Sequence, residues 1–150
     1  MNLTKAVQEV AEWNKAFQHI PEDDDTREKM WRYDDEWRLL AVRLVQEEVN
    51  ELAEGSKADT SPCSMDSMLP RENDVEVLDA IADILFTTFG IAAKAGLTEL
   101  VEPAFKEVLR SNWTKMGPNG PEFYPDGKVS KPVTYEDPDL RQFFDEDDLA

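Results

Sequence analysis

Carboxylates recur at helical spacing in two parts of the chain, each next to apolar residues. Glu47, Glu48 and Glu51 lie in the segment EEVNE at 47–51. Asp79 immediately precedes the apolar run AIADILFTTFGIAA at 80–93, in which Asp83 is the only charge. Such a run predicts a buried helix, and an ionised carboxylate there is costly unless a cation or hydrogen bonds compensate it. We therefore expect Asp83 to need a positive partner.

The helical repeat places each set of acids on one side of its helix. Because each residue advances about 100°, the three glutamates fall within an arc of about 100°. Glu76, Asp79 and Asp83 fall within about 60° by the same rule. If the two arcs face each other, divalent cations relieve the repulsion between them. Oxygen-only ligands favour Mg²⁺, with Mn²⁺ as a substitute, and Mg²⁺ shares its coordination with phosphates. The pattern indicates a phosphate ester or nucleotide substrate.

Interpretations without function remain open for several of these acids. The glutamates of 47–51 are compatible with an exposed charged face. Glu76 lies at the start of its helix, where a carboxylate interacts favourably with the helix dipole. Asp83 differs, because no residue within one helical turn offers it a cation. It is the strongest candidate for a functional role.

Composition limits the classes of partner. A chain of 150 residues is expected to form one domain, residues 1–150. The formal charge of −17 disfavours binding to nucleic acids or anionic membranes. A single cysteine excludes an intramolecular disulfide, and no secretory signal opens the sequence. These features predict a cytoplasmic protein.

Apolar periodicity predicts an all-α fold of four to five helices. The helices are expected at 3–19, 26–54, 73–96 and 103–115, and a second cap signal near 33–35 allows the 26–54 helix to break. Residues 56–73 are predicted to be a long functional or mobile loop. Glycines and prolines from Gly117 onward predict an irregular C-terminal arm over 117–150. Within it, 122–124 and 128–130 are expected to pair across the turn dipeptide Asp126-Gly127.

Four segments, taken in order, resemble the MazG-like all-α nucleoside triphosphate pyrophosphohydrolases. They are 47–51 (EEVNE), 83–90 (DILFTTFG), 107–115 (EVLRSNWTK) and 126–132 (DGKVSKP). The last two resemble a branch with dUTP-hydrolysing and phage nucleotide-pool members, and the resemblance spans residues 5–140. It implies a helical bundle whose helices pack between subunits, as a homodimer or dimer of dimers. It also implies a location in the host cytoplasm if the protein is phage-encoded.

The resemblance further implies cleavage between the α- and β-phosphates, giving a nucleoside monophosphate and pyrophosphate. Its metal ligands are expected at Glu48, Glu51, Asp79 and Asp83, and Glu47 is the candidate general base or further metal ligand. The family places a glutamate three residues before the second-helix aspartate, where this chain has Ala80. Asp79 is the expected substitute, although Glu76-Val77-Leu78-Asp79 also satisfies the spacing. The candidate substrate-binding residues are Asn14, Arg110, Asn112, Lys115, Lys128 and Lys131.

The base pocket is expected to involve the first helix. Asn14 offers both a donor and an acceptor to a base edge, whereas Trp13 and Phe17 are equally compatible with a core role. His19 is expected to be a cap or surface residue. Deoxypurine triphosphates, dGTP first, are the preferred substrates, with dUTP second.

Three other classes of protein compete with this hypothesis. An acidic helical protein that binds a basic partner fits the net charge, and such a protein should gain little thermal stability from Mn²⁺. A di-iron bundle normally requires Glu-x-x-His pairs, and the chain has one histidine. A purely structural bundle leaves the acidic arcs unexplained.

Overall fold

The computed structural model describes residues 2–56 and 71–145. Its five α-helices are α1 (Leu3–Ala16), α2 (Asp24–Tyr33), α3 (Asp35–Ser56), α4 (Arg71–Ala95) and α5 (Val101–Trp113), with short 3₁₀ turns at Thr98–Leu100, Thr114–Met116 and Arg141–Phe143. Contacts divide the chain into an N-terminal unit, Met1–Thr98, and a C-terminal unit, Glu99–Ala150. The all-α class and the number of helices predicted from the sequence are confirmed.

Short polar side chains start the first three helices. The side chain of Asn2 accepts a hydrogen bond from Lys5 N at 2.9 Å, which begins α1. The side chain of Asp23 accepts a hydrogen bond from Thr26 N at 2.8 Å. Hydrogen bonding with Thr26 lowers the pKa of Asp23. Asp34 accepts from Trp37 N at 2.9 Å. An aspartate cap inside the predicted 26–54 helix therefore splits it into α2 and α3.

Two helices end in the same left-handed turn. After α1, Gln18 has φ 60°, and His19 N donates to Asn14 O at 2.8 Å. After α4, Gly96 has φ 73°, and Leu97 N donates to Ala92 O at 2.8 Å. Both are Schellman-type ends, which reverse the chain sharply. The first therefore brings the residues after α1 back towards the bundle.

Helices α3 and α4 form the main pair of the N-terminal unit, and small residues allow them to approach closely. Ala41 on α3 and Ala80 on α4 are both buried. A Cβ added at Gly55 would lie 3.2 Å from the Cβ of Glu76. Helix α1 packs on α4 and contributes Val7, which is fully buried. This packing sets the predicted acidic segments of α3 and α4 on neighbouring helices.

The expectation that Asp83 is buried in an apolar helix is wrong. Asp83 is exposed. Leu78 and Leu85 on the same helix are 68% and 49% exposed. The apolar residues of this run lie on two faces of α4. Helices α1 and α3 cover one of these faces. The compensation that Asp83 requires is therefore smaller than the sequence implied, since water solvates its charge.

The C-terminal unit consists of α5 and the arm that follows it. Phe123 and Val129 form an isolated antiparallel bridge, and Tyr124 N donates to Lys128 O at 2.8 Å. Gly127 has φ 85° in the turn between them. The pairing predicted across Asp126-Gly127 is confirmed.

Other predicted boundaries need small corrections. Ser56 belongs to α3 and Asn73 to α4, so both helices extend into the predicted 56–73 loop. The rest of that loop, 57–70, lies outside the described residues. Within the described ranges, no helix is long and apolar enough to cross a membrane.

Candidate active site

A cavity of about 530 Å³ lies in the N-terminal unit, between α1, α3 and α4. Its lining is mostly apolar and aromatic, with carboxylates and a lysine among the polar side chains. The lining residues are Trp13, Asn14, His19, Leu40, Ala41, Leu44, Glu48, Asp83, Phe86, Thr87, Gly90 and Lys94. A mostly apolar concavity with a few polar groups is the usual form of a small-molecule site.

The acids of α3 and α4 come together at Glu48. This side chain is partly buried, and burial is the largest cause of its raised pKa. The charges of Glu51, Asp83, Glu47 and Asp79 raise it further. Because two of these groups lie on α3 and two on α4, the predicted acidic arcs face each other.

Glu76 does not contribute to this electrostatic cluster. It is absent from the charges that raise the pKa of Glu48. Instead its carboxylate accepts a hydrogen bond from Asn73 Nδ2 at 3.3 Å. Ala80, at the family's glutamate position, is buried against the neighbouring helices. These observations favour Asp79 over Glu76 as the substitute for the family glutamate.

The donor chemistry of the cluster suits a hard divalent cation, because every donor is a carboxylate. Within residues 2–56 and 71–145, however, no three such side chains are already arranged to hold one ion. Nor does any salt bridge between described residues involve Glu47, Glu48, Glu51, Asp79 or Asp83. All of them except Glu48 are exposed, so their side chains have room to rotate towards an ion. The residues therefore fit a metal in the type of their ligand atoms.

Asn14 is placed by the close approach of α1 to α4. A Cβ at Gly90 would lie 3.6 Å from Asn14 Nδ2, so the glycine makes room for the amide. Nδ2 donates to Val10 O at 2.9 Å. Among the described residues, no side chain donates a hydrogen bond to Oδ1. Every fully buried polar side-chain atom in these residues does have a hydrogen-bond partner. Oδ1 is therefore not fully buried, and Asn14 is a lining residue of the cavity.

Aromatic rings surround the same wall. Trp13 stacks on Phe17 with ring centroids 4.4 Å apart. The rings of Phe86 and His19 approach Trp13 edge-on, at 5.0 and 5.4 Å. Trp13 is still 38% exposed and lines the cavity, so it is more than a core residue. Phe17 is 60% exposed and does not line the cavity, so its contribution is to pack against the Trp13 ring.

Sequence reasoning missed Lys94 and gave His19 no role in a site. Lys94 is 6% exposed, and burial lowers its pKa to about 8. Its Nζ donates to His19 O at 3.0 Å and lies 4.0 Å from the centroid of the Trp37 ring. The available signal was Lys94 itself, the only charge between Asp83 and Gly96 in an apolar stretch.

The five candidate substrate residues after residue 100 lie in the C-terminal unit, where each has a local partner. Arg110 binds Glu107 and Glu136 at 2.6–2.8 Å. Lys115 donates to Asn112 Oδ1 at 2.6 Å. Lys128 pairs with Asp126, and Lys131 pairs with Asp137 and lies over the Tyr135 ring. All are exposed except Lys115, which is partly so, and their substrate role stays a prediction.

An all-α fold with carboxylates beside a mostly apolar cavity fits a helical nucleotide hydrolase. The sequence profile of the phosphoribosyl-ATP pyrophosphohydrolase family matches residues 14–112. The chain belongs to that family, which is part of the MazG-like all-α superfamily. It is therefore a hydrolase acting on phosphoanhydride bonds of nucleotide substrates. The resemblance stated from the sequence is confirmed at the superfamily level. Comparison with characterised proteins found no match.

Proposed function

We propose that this protein hydrolyses a (deoxy)nucleoside triphosphate between the α- and β-phosphates, releasing a monophosphate and pyrophosphate with Mg²⁺. The carrying observation is the cavity that Trp13 and Asn14 line together with Glu48 and Asp83. An aromatic and amide wall suits a base, and carboxylates suit cation-bound phosphates. Mn²⁺ is expected to substitute for Mg²⁺.

Glu48, Glu51, Asp79 and Asp83 are the proposed metal ligands. When bound, the metal polarises the α-phosphate and lowers the pKa of a water. The carboxylates would hold the metal and in that way orient the phosphates. Glu47, whose charge also reaches Glu48, is the proposed general base or an additional ligand. Its position on α3, next to Glu48, supports either role.

The cations of the C-terminal unit are proposed to neutralise the triphosphate. Arg110 offers a planar fork and the lysines offer point charges. Arg110 would exchange Glu107 or Glu136 for phosphate oxygens, both of them anionic acceptors of similar geometry. The proposed set is Arg110, Asn112, Lys115, Lys128 and Lys131.

The substrate is proposed to be a deoxypurine triphosphate, dGTP first, with dUTP as the alternative within the same group. The segments 107–115 and 126–132, which resemble a phage nucleotide-pool branch, support this choice, and action in the cytoplasm goes with it. Phosphoribosyl-ATP is a second candidate because the family match carries its name. A non-enzymatic acidic protein for a basic partner is the remaining alternative, and the acids around Glu48 would then bind cationic side chains.

A second copy of the chain is the proposed cover of the open face of α4. Val75, Leu78 and Leu85 recur at spacings of three and seven and are 69%, 68% and 49% exposed. A stripe of this spacing is typical of helix–helix seams. A homodimer or dimer of dimers would bury it, and light scattering should give at least twice the mass of 17.1 kDa.

A substrate panel tests the proposal. Ribo- and deoxynucleoside triphosphates and phosphoribosyl-ATP are each incubated with Mg²⁺ or Mn²⁺, and monophosphate, pyrophosphate and orthophosphate are quantified separately. Monophosphate and pyrophosphate in equal amounts from a deoxynucleotide are expected. Orthophosphate as the first product would contradict the predicted bond, and turnover of phosphoribosyl-ATP alone would establish the second candidate.

A further inference from the structure

Lys94 is an ammonium group at the far end of the cavity from the acids. It stands eleven residues after Asp83 on the same helix, which corresponds to about 16 Å along the axis. Both residues line the cavity. If the acid end takes the triphosphate, as proposed above, the Lys94 end takes the part of the nucleotide farthest from the phosphates. That part is the base.

The contacts of Lys94 leave it with donor capacity. A lysine ammonium has three N–H groups and accepts no hydrogen bond. One N–H donates to His19 O, and the Trp37 ring face attracts the charge from another side. At least one N–H remains for an acceptor in the cavity. Because its pKa of about 8 lies above neutrality, Lys94 is mainly protonated at pH 7.

Asn14 supplies the complementary group nearby. One N–H of its Nδ2 donates to Val10 O, and its Oδ1 is an acceptor with no donor among the described side chains. The amide lies against Gly90, one helical turn before Lys94, or about 6 Å along α4. Because Lys94 and Asn14 both line the cavity, a donor and an acceptor are offered to the same bound base.

We propose that Lys94 and Asn14 select nucleotides whose base carries a keto oxygen beside a ring N–H. Lys94 donates to the keto oxygen, and Asn14 Oδ1 accepts from the neighbouring N–H. Guanine, hypoxanthine and uracil present this pair. Adenine and cytosine present an amino group and an unprotonated ring nitrogen there, so donor would meet donor and acceptor would meet acceptor. This inference rests on the proposed function. It accounts for the proposed preference for dGTP and for dUTP by the same two residues.

The test compares kcat/KM for dGTP, dITP, dUTP, dATP and dCTP in the native protein, K94M, K94R and a control. Met has a similar length without the charge, and removing a buried charge need not destabilise the fold. K5M is the control, since Lys5 is exposed on α1 and pairs with Glu9. The native protein should prefer the keto bases about 10- to 100-fold. K94M should lose that preference, K94R should retain part of it, and K5M should match the native protein.

Two results would overturn the inference. One is an equal loss on all five nucleotides in K94M, which would mean that Lys94 only supports the fold. The other is a native preference for dATP or dCTP. If no triphosphate is hydrolysed, the proposed function fails, and the inference is decided by binding. Quenching of the protein's tryptophan fluorescence by dGMP and dUMP at lower concentration than by dAMP and dCMP supports it, and equal binding overturns it.

Discussion

Glu48 in the N-terminal unit and Glu107 in the C-terminal unit have opposite electrostatic surroundings. Around α5, Glu107 is bound by Arg110 and by Asp139 N, and these contacts lower its pKa to about 2. On α3, Glu48 has a raised pKa because of burial and four neighbouring carboxylates. Identical side chains thus stabilise a local structure in one unit. Around Glu48 the carboxylates instead repel one another, and the proposed cation would relieve that repulsion.

Neutralising an unpaired acid should give the largest effect. D83N is expected to lower kcat/KM for the preferred nucleotide about 10²- to 10³-fold, because a proposed metal ligand loses its charge. Since Asp83 is exposed, the free energy of unfolding should change by less than about 0.5 kcal/mol. Steady-state kinetics and urea unfolding measure the two quantities. The control is D25N, which removes an exposed acid paired with Lys29 and should leave activity unchanged.

Adding an acid to the α3–α4 contact should destabilise the fold. A80E restores the family's glutamate at a position that is 3% exposed here. In the absence of metal, a carboxylate buried there without a partner is expected to lower the free energy of unfolding by about 3–5 kcal/mol. A82E is the matched control, because Ala82 is exposed on the same helix. Equal unfolding free energies for the two variants would show that the helices part easily at this point.

A smaller effect is expected where the arm is attached to α5. The hydroxyl of the buried Ser111 donates to Glu136 O at 2.7 Å. S111A leaves that carbonyl without this donor and should cost about 1–2 kcal/mol of unfolding free energy. T134A, at an exposed threonine of the same arm, should cost almost nothing. If S111A loses no more unfolding free energy than T134A does, water replaces the hydroxyl as the hydrogen-bond donor to Glu136 O.

The smallest effect concerns pH. The folded-state pKa of Glu107 lies below its ordinary value of 4.5, so its stabilisation is complete above that value. It should be lost as pH falls towards about 2, and E107Q should remove this part of the pH dependence. Unfolding of both proteins between pH 5 and pH 2 measures the difference. Parallel curves would show that the Arg110 contact adds no stability.

Local signals in the sequence predicted the helices well. The cap signal near 33–35 and the turn at Asp126-Gly127 act within a few residues, so they can be identified without the fold. The exposure of Asp83 could not be predicted, because an apolar run does not tell which of its faces the same chain covers. Lys94 was missed for a related reason. Its partners, His19 and Trp37, are distant in sequence and meet it only after α1, α3 and α4 pack.

The central claim is that acids of two neighbouring helices together bind a divalent cation at one site. Measuring the affinity for Mn²⁺ tests this claim directly. Electron paramagnetic resonance of free Mn²⁺ should give a dissociation constant that rises at least about tenfold in E48Q, on α3, and equally in D83N, on α4. D25N should bind as the native protein does. Unchanged Mn²⁺ affinity in both E48Q and D83N would contradict the account.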